Sequence, residues 1–292
     1  MCNNLIYENE VYGRAEMSFK LLFNWKRCMK DEQIIRLSFF FGVLVAVAIW
    51  ETIAPRRELT DSKKRRWFTN LSLVMINTAM VRFTFPILPA SMAFMAQEQG
   101  WGLLNMIVLP AWISVVVAVV ALDFIIYIQH VLFHFLPILW RLHRMHHTDL
   151  DLDVTSGNRF HPIEIVISIA IKLIAVTLIG PPAGAVVIFE AVLNATAQFN
   201  HGNIRLPEAV DRCLRLIVVT PDMHRVHHSV IPRETNSNFG FNLPWWDRLC
   251  GTYRSQPELG HTSMSIGLKE FRDPEKLSLS RLLVLPFVGK IS

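Results

Sequence analysis

Three clusters of histidine are the residues of this sequence best suited to chemistry. On a helix, side chains three and four positions apart share one face, so each cluster would project two or three imidazoles from one stripe. Neutral imidazole is a ligand for iron, zinc and copper. The clusters are His-x-x-x-His at His130 and His134, and His-x-x-His-His twice, at His143, His146 and His147 and at His224, His227 and His228.

The number of histidines predicts two metal ions. Eight clustered imidazoles exceed what one tetrahedral ion uses, and they fit two ions of higher coordination number with open positions. His201 follows an apolar hairpin directly and is predicted as a further ligand, whereas His161, just before that hairpin, is expected to be a ligand, to orient one or to face the substrate. Asp149 and Asp222 lie close in sequence to ligand histidines. Each is expected to orient a ligand or to face the substrate, because metal-bound imidazoles usually donate their second N–H to a carboxylate or carbonyl. His261 stands alone, and we expect its replacement by alanine to be nearly silent.

These clusters follow long apolar runs. The chain has 292 residues, of which 52% are hydrophobic and 18% charged, against about 25% charged in soluble domains. We predict an all-α integral membrane protein, with about four to five transmembrane or re-entrant helices and a helical, histidine-rich diiron cap. Pro86 and Pro89 predict a break in the second run, and Gly180-Pro181-Pro182 predicts a turn between the last two. The runs cover residues 37–54, 68–96, 103–128, 163–179 and 183–199.

Basic residues set the expected orientation. The loop after the first run contains Arg56, Arg57 and four consecutive basic residues, 63–66, which places it in the cytoplasm by the positive-inside rule. Every histidine cluster then lies on the cytoplasmic side, and a bacterial inner membrane is the expected location. Further basic residues, from Lys20 to Arg36, precede the first run on the side that this topology sends outside. Either the first helix does not fully span, or the basic stretch lies on the membrane surface.

The order of the clusters behind apolar helices resembles the fatty acid hydroxylase / sterol desaturase superfamily. The resemblance covers residues 122–253 and includes the segments Arg-Phe-His161-Pro-Ile-Glu, Thr-Pro-Asp222-Met-His224 and Leu-Pro-Trp-Trp-Asp247. Within the superfamily, the pattern looks like the bacterial sterol-desaturase-like branch, which is similar to alkylglycerol monooxygenase. It suggests four parts: an N-terminal polar and basic segment (1–36), transmembrane helices (37–128), a catalytic domain (122–253) and a C-terminal tail (254–292).

This resemblance implies a non-haem diiron enzyme that uses O₂ to hydroxylate or desaturate a lipid, such as a sterol, a fatty acyl chain or an alkyl-ether chain. Electrons would come from an external donor: cytochrome b5, ferredoxin with its reductase, or a reduced pterin. The alternative from the residues alone is a membrane protein that transports or binds metal through its histidine clusters. The chain has no His-Glu-x-x-His motif, which argues against a zinc protease. No motif points to nucleic acid.

Two adjacent tryptophans follow the last cluster. Trp245 and Trp246 come directly after Pro244. Tryptophan prefers the level of the lipid head groups, where its ring is half buried and its N–H finds a partner. We therefore expect the pair to pack over the metal site and to border the entrance for a lipid tail. A simple anchor at the membrane surface is the alternative.

Overall fold

The computed structural model describes the backbone of residues 14–288, with side chains from residue 34 onwards. Residues 1–13 of the predicted N-terminal segment and the last four residues of the predicted tail therefore lie outside the described residues. The described part is helical, and its only β-type pairings are two isolated bridges. The helices are α1 (Arg14–Ile53), α2 (Lys63–Thr84), α3 (Pro89–Gln99), α4 (Ala111–Phe135), α5 (Pro137–His147), α6 (Pro162–Ile179), α7 (Ala183–Asn200), α8 (Glu208–Leu214), α9 (Pro221–His227), α10 (Pro232–Thr235), α11 (Trp245–Leu249), α12 (Gly260–Ser263) and α13 (Leu279–Val284).

Four of the described segments are long and apolar enough to cross a membrane. They are Ile34–Ile53, Lys63–Asn105, Ala111–Phe135 and Pro162–Ile179. The predicted all-α bundle is confirmed. The predicted break is also present, because α2 ends at Thr84 and α3 begins at Pro89, where proline has no N–H to continue a helix.

The third helix differs from its predicted bounds. Residues Leu103–Asn105 form a separate 3₁₀ turn, and α4 begins only after Pro110 and continues to Phe135. Proline fixes its own backbone and favours a helix start immediately after it. As a result His130 and His134 belong to the last two turns of a membrane helix, whereas the sequence placed them beyond its end.

The predicted hairpin forms between α6 and α7. Gly180 ends α6 with a φ of 65°, a left-handed conformation that suits glycine. Its backbone also lies so close to Gly102 that a side chain on either residue would collide with the other chain segment. The main apolar core lies between this hairpin, α3 and α4, and its members are Ala90, Ala93, Leu122, Ile126, Ala175, Val176, Val186 and Phe189.

The loop between α1 and α2 lies at the same end of the bundle as the histidines. Pro55 pairs with Ile204 just after His201, and Arg66, in the first turn of α2, forms an ion pair with Asp149 just after α5. Residues 254–288, expected as a tail, pack against this end. Their leucines share a core with α2 and α5, formed by Leu73, Met145, Leu150, Leu277, Leu282 and Leu285.

Candidate metal centre

The nine histidines predicted as ligands assemble into two buried groups. In each group the nearest ring nitrogens all lie within 4.8 Å of one another. Metal–nitrogen bonds of about 2.1 Å place opposite ligands of one ion about 4 Å apart, so each group has the size of a site for one ion. The five-histidine group is His130, His134, His143, His147 and His227, and the four-histidine group is His146, His201, His224 and His228.

The two His-x-x-His-His motifs contribute to these groups in opposite ways. The i and i+4 residues of the first motif, His143 and His147, join the five-histidine group, and the i+3 residue joins the other. In the second motif the i and i+4 residues join the four-histidine group, and the i+3 residue, His227, joins the five-histidine group. Each motif therefore reaches both groups, because i+3 and i+4 side chains point to either side of the one at i. The two groups touch, with the rings of His147 and His228 stacked at 4.6 Å.

The second ring nitrogen of most of these histidines is held by the protein. The Nδ1 atom of His130 lies 2.7 Å from the carbonyl oxygen of Phe239, and that of His227 lies 2.8 Å from the carbonyl of Ser237. His134 uses the side-chain oxygen of Asn236 at 3.2 Å. His201 has two acceptors, the Ala197 carbonyl at 2.6 Å and the Asn200 side-chain oxygen at 2.7 Å. Such contacts fix the rotation of each ring and leave Nε2 for a metal ion.

Glu164 is the one carboxylate bonded to a histidine of the two groups, among the described residues. Its Oε1 lies 2.6 Å from His143 Nδ1, and both side chains are buried. The sequence reasoning missed Glu164 as a site residue, although it stands in the His161-Pro-Ile-Glu segment. A charged side chain in the first turn of an apolar helix was the available signal, because such a residue needs a buried partner.

Several inward-facing nitrogens have no protein partner, which fits metal ligands. The Nε2 atoms of His134, His147 and His227 are buried without a hydrogen bond. In the other group, Nε2 of His201 lies 3.1 Å from that of His146 and 3.2 Å from that of His224. Buried polar atoms are nearly always satisfied, so converging unpaired nitrogens call for a bound cation. An all-imidazole donor set suits a transition metal such as iron.

Burial keeps the histidines beyond the membrane helices neutral. It lowers the pKa of His143 to about 3 and that of His201 to about 4. Burial, assisted by neighbouring histidines, also lowers the pKa well below 6.5 for His146, His147, His224, His227 and His228. Neutral rings keep the lone pair that a metal ion binds. The groups are thus ready for metal at neutral pH.

Aromatic rings cover part of both histidine groups. Phe239 packs against His134 and His227, with ring centres 5.0 and 5.6 Å apart. Phe160 stacks on His146 at 4.5 Å, with the two rings almost parallel. All nine histidines are nine-tenths or more buried. Electrostatic interactions in such a dry site are stronger than in water.

Asp149 supports the centre indirectly and forms no hydrogen bond with a histidine of the two groups. Its carboxylate binds Arg66 at 2.7 and 2.9 Å, and Ser156 at 2.8 Å. Burial alone would raise the pKa of Asp149, but Arg66 and Arg159 hold it well below its usual value. These bonds fix the segment that ends at Arg159, whose carbonyl oxygen lies 3.3 Å from His146 Nδ1. A backbone carbonyl therefore has the role expected of Asp149, because Arg66 occupies the carboxylate.

Asp222 also pairs with cations instead of a ligand. It binds Arg56 at 3.0 Å and pairs with Arg225, so it holds α9 against the loop after α1. His261 lies 3.7 Å from Asp222 and is only 5% exposed. The expected isolation of His261 is therefore wrong, because the segment after residue 254 folds back onto α9. Burial lowers the pKa of His261 to about 4.

His161 lies outside both groups. It caps the N-terminus of α6, where its Nδ1 accepts a hydrogen bond from the Ile163 N–H at 3.2 Å. Its Nε2 lies 3.1 Å from the carbonyl oxygen of Leu283 in the C-terminal segment. Both nitrogens are engaged, so the ligand role expected for His161 has no geometric support. The residue sets the start of the helix that delivers Glu164.

The tryptophan pair lies beside α4. The Nε1 of Trp246 donates to Asp123 at 2.7 Å, and its ring packs on Phe124 at 4.7 Å. Trp245 donates to the Leu216 carbonyl at 2.7 Å. Asp123 precedes His130 by seven residues, or about 10 Å along the helix, so Trp246 satisfies a buried carboxylate and does not pack over the histidines. The entrance role stays a prediction.

Residues 115–252 match the family model for fatty acid hydroxylase. This match agrees with the resemblance of the histidine motifs to the fatty acid hydroxylase / sterol desaturase superfamily. The ornithine lipid hydroxylase OlsE of Rhizobium tropici is 28% identical over 240 residues, which cover 78% of this chain and 69% of that protein. The alkylglycerol monooxygenases of Xenopus tropicalis and Homo sapiens are 28% and 26% identical over 141 and 146 residues, which cover 47% and 48% of this chain. The matched part is 29% and 31% of their own length. No solved structure matches the chain.

The match to the fatty acid hydroxylase model and the lipid hydroxylase relatives favour the lipid-oxidising enzyme over the metal transporter. The fatty acid hydroxylase family is known for iron use, and the use of oxygen is implied by the family. The chain is therefore an oxidoreductase of lipid metabolism, as the histidine clusters and the resemblance predict. The metal transporter is not supported.

Proposed function

We propose that this protein hydroxylates a membrane lipid with O₂ at a centre of two iron ions, one in each histidine group. The observation that carries the proposal is that each His-x-x-His-His motif contributes histidines to both groups. The two groups therefore lie side by side, and each has the size of a site for one metal ion. Nine ligands for one ion would exceed any ordinary coordination number, whereas five and four leave open positions. All nine predicted histidines act as ligands in this proposal.

The protein's own residues position and protect this centre. Bound iron would supply the activation of O₂ and the removal of hydrogen from an unreactive C–H bond, which side chains alone do not achieve. Glu164 holds the proton of His143 Nδ1 and so directs Nε2 inward. Phe160 and Phe239 exclude water from the ring faces. Asp149 acts through Arg66 to hold the loop behind His146.

Ornithine lipid is the first substrate to test. The relative from Rhizobium tropici is named for hydroxylation of that lipid and aligns over 78% of this chain. The other relatives are named as monooxygenases. Both names favour hydroxylation over desaturation: one oxygen atom of O₂ is inserted into a C–H bond, and the other leaves as water with two protons and two electrons. The two electrons this requires would come from a cytochrome b5, a ferredoxin with its reductase, or a reduced pterin.

We further propose that the centre faces the cytoplasm of a bacterial inner membrane. The support is the position of the basic residues between α1 and the first turn of α2, which bind the histidine end of the bundle through Arg56 in the loop and Arg66 in α2. Short loops rich in lysine and arginine remain in the cytoplasm. The catalytic domain is proposed to comprise residues 122–253, behind transmembrane helices within residues 37–128.

The decisive experiment uses the full chain in detergent, loaded with iron(II) and supplied with ferredoxin, its reductase and NADPH. Ornithine lipid is incubated under ¹⁸O₂ and analysed by mass spectrometry beside a fatty acid, an alkylglycerol and a sterol. We expect one ¹⁸O atom in the lipid product and about two irons per chain in the active protein. His146→Ala serves as the inactive control.

Two results would contradict this proposal. Iron-loaded, reduced protein that leaves every lipid of the panel unlabelled would overturn the hydroxylase. Active protein with one iron per chain would overturn the dinuclear centre. Zinc in the protein as purified would contradict neither, because imidazole sites bind zinc more tightly than iron(II). The iron count is therefore taken after metal exchange.

A further inference from the structure

A cavity of about 440 Å³ leads from the surface to the five-histidine group. Its walls come from the α4–α5 corner, from residues 230–236 and from the loop 268–271. His134 forms part of the wall, and its Nε2 has no hydrogen-bond partner. This cavity, here termed the His134 pocket, thus gives a molecule at the surface access to a proposed metal ligand.

The mouth of the His134 pocket lies at the end of a membrane helix. Phe135, in its wall, is 59% exposed, and the neighbouring Leu136 and Ile138 are 44% and 74% exposed. Contiguous exposed apolar side chains mark a surface that contacts a membrane or a partner. At the end of the candidate span Ala111–Phe135 they fit the level of the lipid head groups. A lipid could therefore reach the pocket without leaving the bilayer.

The pocket combines charges of both signs. Arg144 and Lys269 are cationic, and Glu270 is anionic. Arg144 is held in place by hydrogen bonds to the carbonyl oxygens of Leu285 and Val288, both at 2.7 Å, while its Nε is buried without a partner. Arg144 is buried, whereas Lys269 and Glu270 are exposed to solvent. A hydrocarbon tail in this space would cover charged groups, which costs free energy. They suit a group that carries both an anion and an amine.

We propose that the His134 pocket binds the polar head of a zwitterionic lipid, with its anionic group toward Arg144 and Lys269 and its amine toward Glu270. This proposal rests on the lipid hydroxylase function proposed above. It fixes where the oxygen is inserted: the carbon nearest the five-histidine group lies in the head group or next to it. The middle of the acyl chain stays in the bilayer.

The test compares two lipids and two charge reversals in the full chain. Ornithine lipid carries a carboxylate and an amine, and its N-acetylated derivative has lost the amine charge. Glu270→Lys should raise KM for ornithine lipid about fivefold, since one surface charge interaction contributes up to about 1 kcal/mol. It should also abolish the preference for ornithine lipid over the acetylated lipid. Glu98→Lys, the same change at the exposed end of α3, should behave as wild type.

Lys269→Glu is the second variant, and it reverses a positive charge of the pocket instead of the negative one. It should raise KM for both lipids, because both keep the carboxylate. Tandem mass spectrometry of the wild-type product should place the hydroxyl group in the head group or on the adjacent carbon. A hydroxyl group in mid-chain, or a Glu270→Lys variant indistinguishable from Glu98→Lys, would overturn the pocket assignment and leave the hydroxylase intact. A wild-type protein inactive on every lipid would overturn both.

Discussion

Replacing Glu164 tests whether the residues around the histidines set the strength of metal binding. Its Oε1 is 2.6 Å from His143 Nδ1, and both groups are buried. In Glu164→Ala the Nδ1–H of His143 loses its acceptor in a site that water does not reach. In Glu164→Gln an amide oxygen remains to accept the bond, but the negative charge is lost. The two variants therefore separate the hydrogen bond from the charge.

The size of the effect follows from the lost bond. A buried donor without an acceptor costs about 1–3 kcal/mol, which is about 5- to 150-fold in an equilibrium constant. Residues that orient metal ligands usually contribute about 10- to 100-fold in affinity or activity. We expect Glu164→Ala to weaken metal binding about 100-fold and Glu164→Gln about tenfold. The loss should be confined to one of the two ions, because His143 belongs to the five-histidine group only.

Anaerobic titration of the metal-free protein with cobalt(II) measures this directly, since bound cobalt absorbs visible light and two sites give two binding steps. Hydroxylation is then assayed at limiting and at saturating iron. Glu98→Ala, exposed at the far end of α3, is the control for removal of a carboxylate. Unchanged affinity in both binding steps of Glu164→Ala would refute the reasoning.

Three further predictions concern the ligands, the buried histidine of the C-terminal segment and the tryptophans. His146→Ala and His227→Ala each remove a histidine from a different group, so each should lower the metal content from about two ions to about one. Activity should be lost, and the protein should remain in the membrane fraction. Two retained ions would argue against these residues as ligands. His261→Ala should lower the unfolding temperature with normal iron content. Burial depresses the pKa of His261 from 6.5 to about 4. The folded protein therefore holds this histidine neutral, and its stability falls as the pH drops from 6.5 towards 4, where the unfolded chain binds the proton more tightly. The unfolding temperature of the variant should depend less on pH in this interval. Trp246→Phe keeps an aromatic ring but removes the indole N–H that Asp123 accepts, which leaves, among the described residues, only the longer bond from the Leu243 N–H. If Trp246 is an anchor, the variant should leave less protein in the membrane; if it borders the entrance, KM or the oxidation site should change at normal protein level.

Local sequence patterns were sufficient for much of this protein. The apolar runs predicted the bundle, and Gly180 with its two prolines predicted the turn between α6 and α7. The spacing of the histidines predicted which of them share a helix face, because helical periodicity depends on sequence separation alone. The same nine residues that the spacing and the apolar hairpin selected lie in the two groups.

The tertiary structure decided how those histidines are divided and what holds them. His143 and His146 lie on one helix but belong to different groups, since the division depends on how α4, α5, α7 and α9 meet. Glu164 is 21 residues from His143 and finds it only when α6 packs against α5. His261 looked isolated because its neighbours come from α9, far along the chain. Sequence spacing specifies the direction of side chains within one helix, whereas contacts between helices depend on packing that no local pattern encodes.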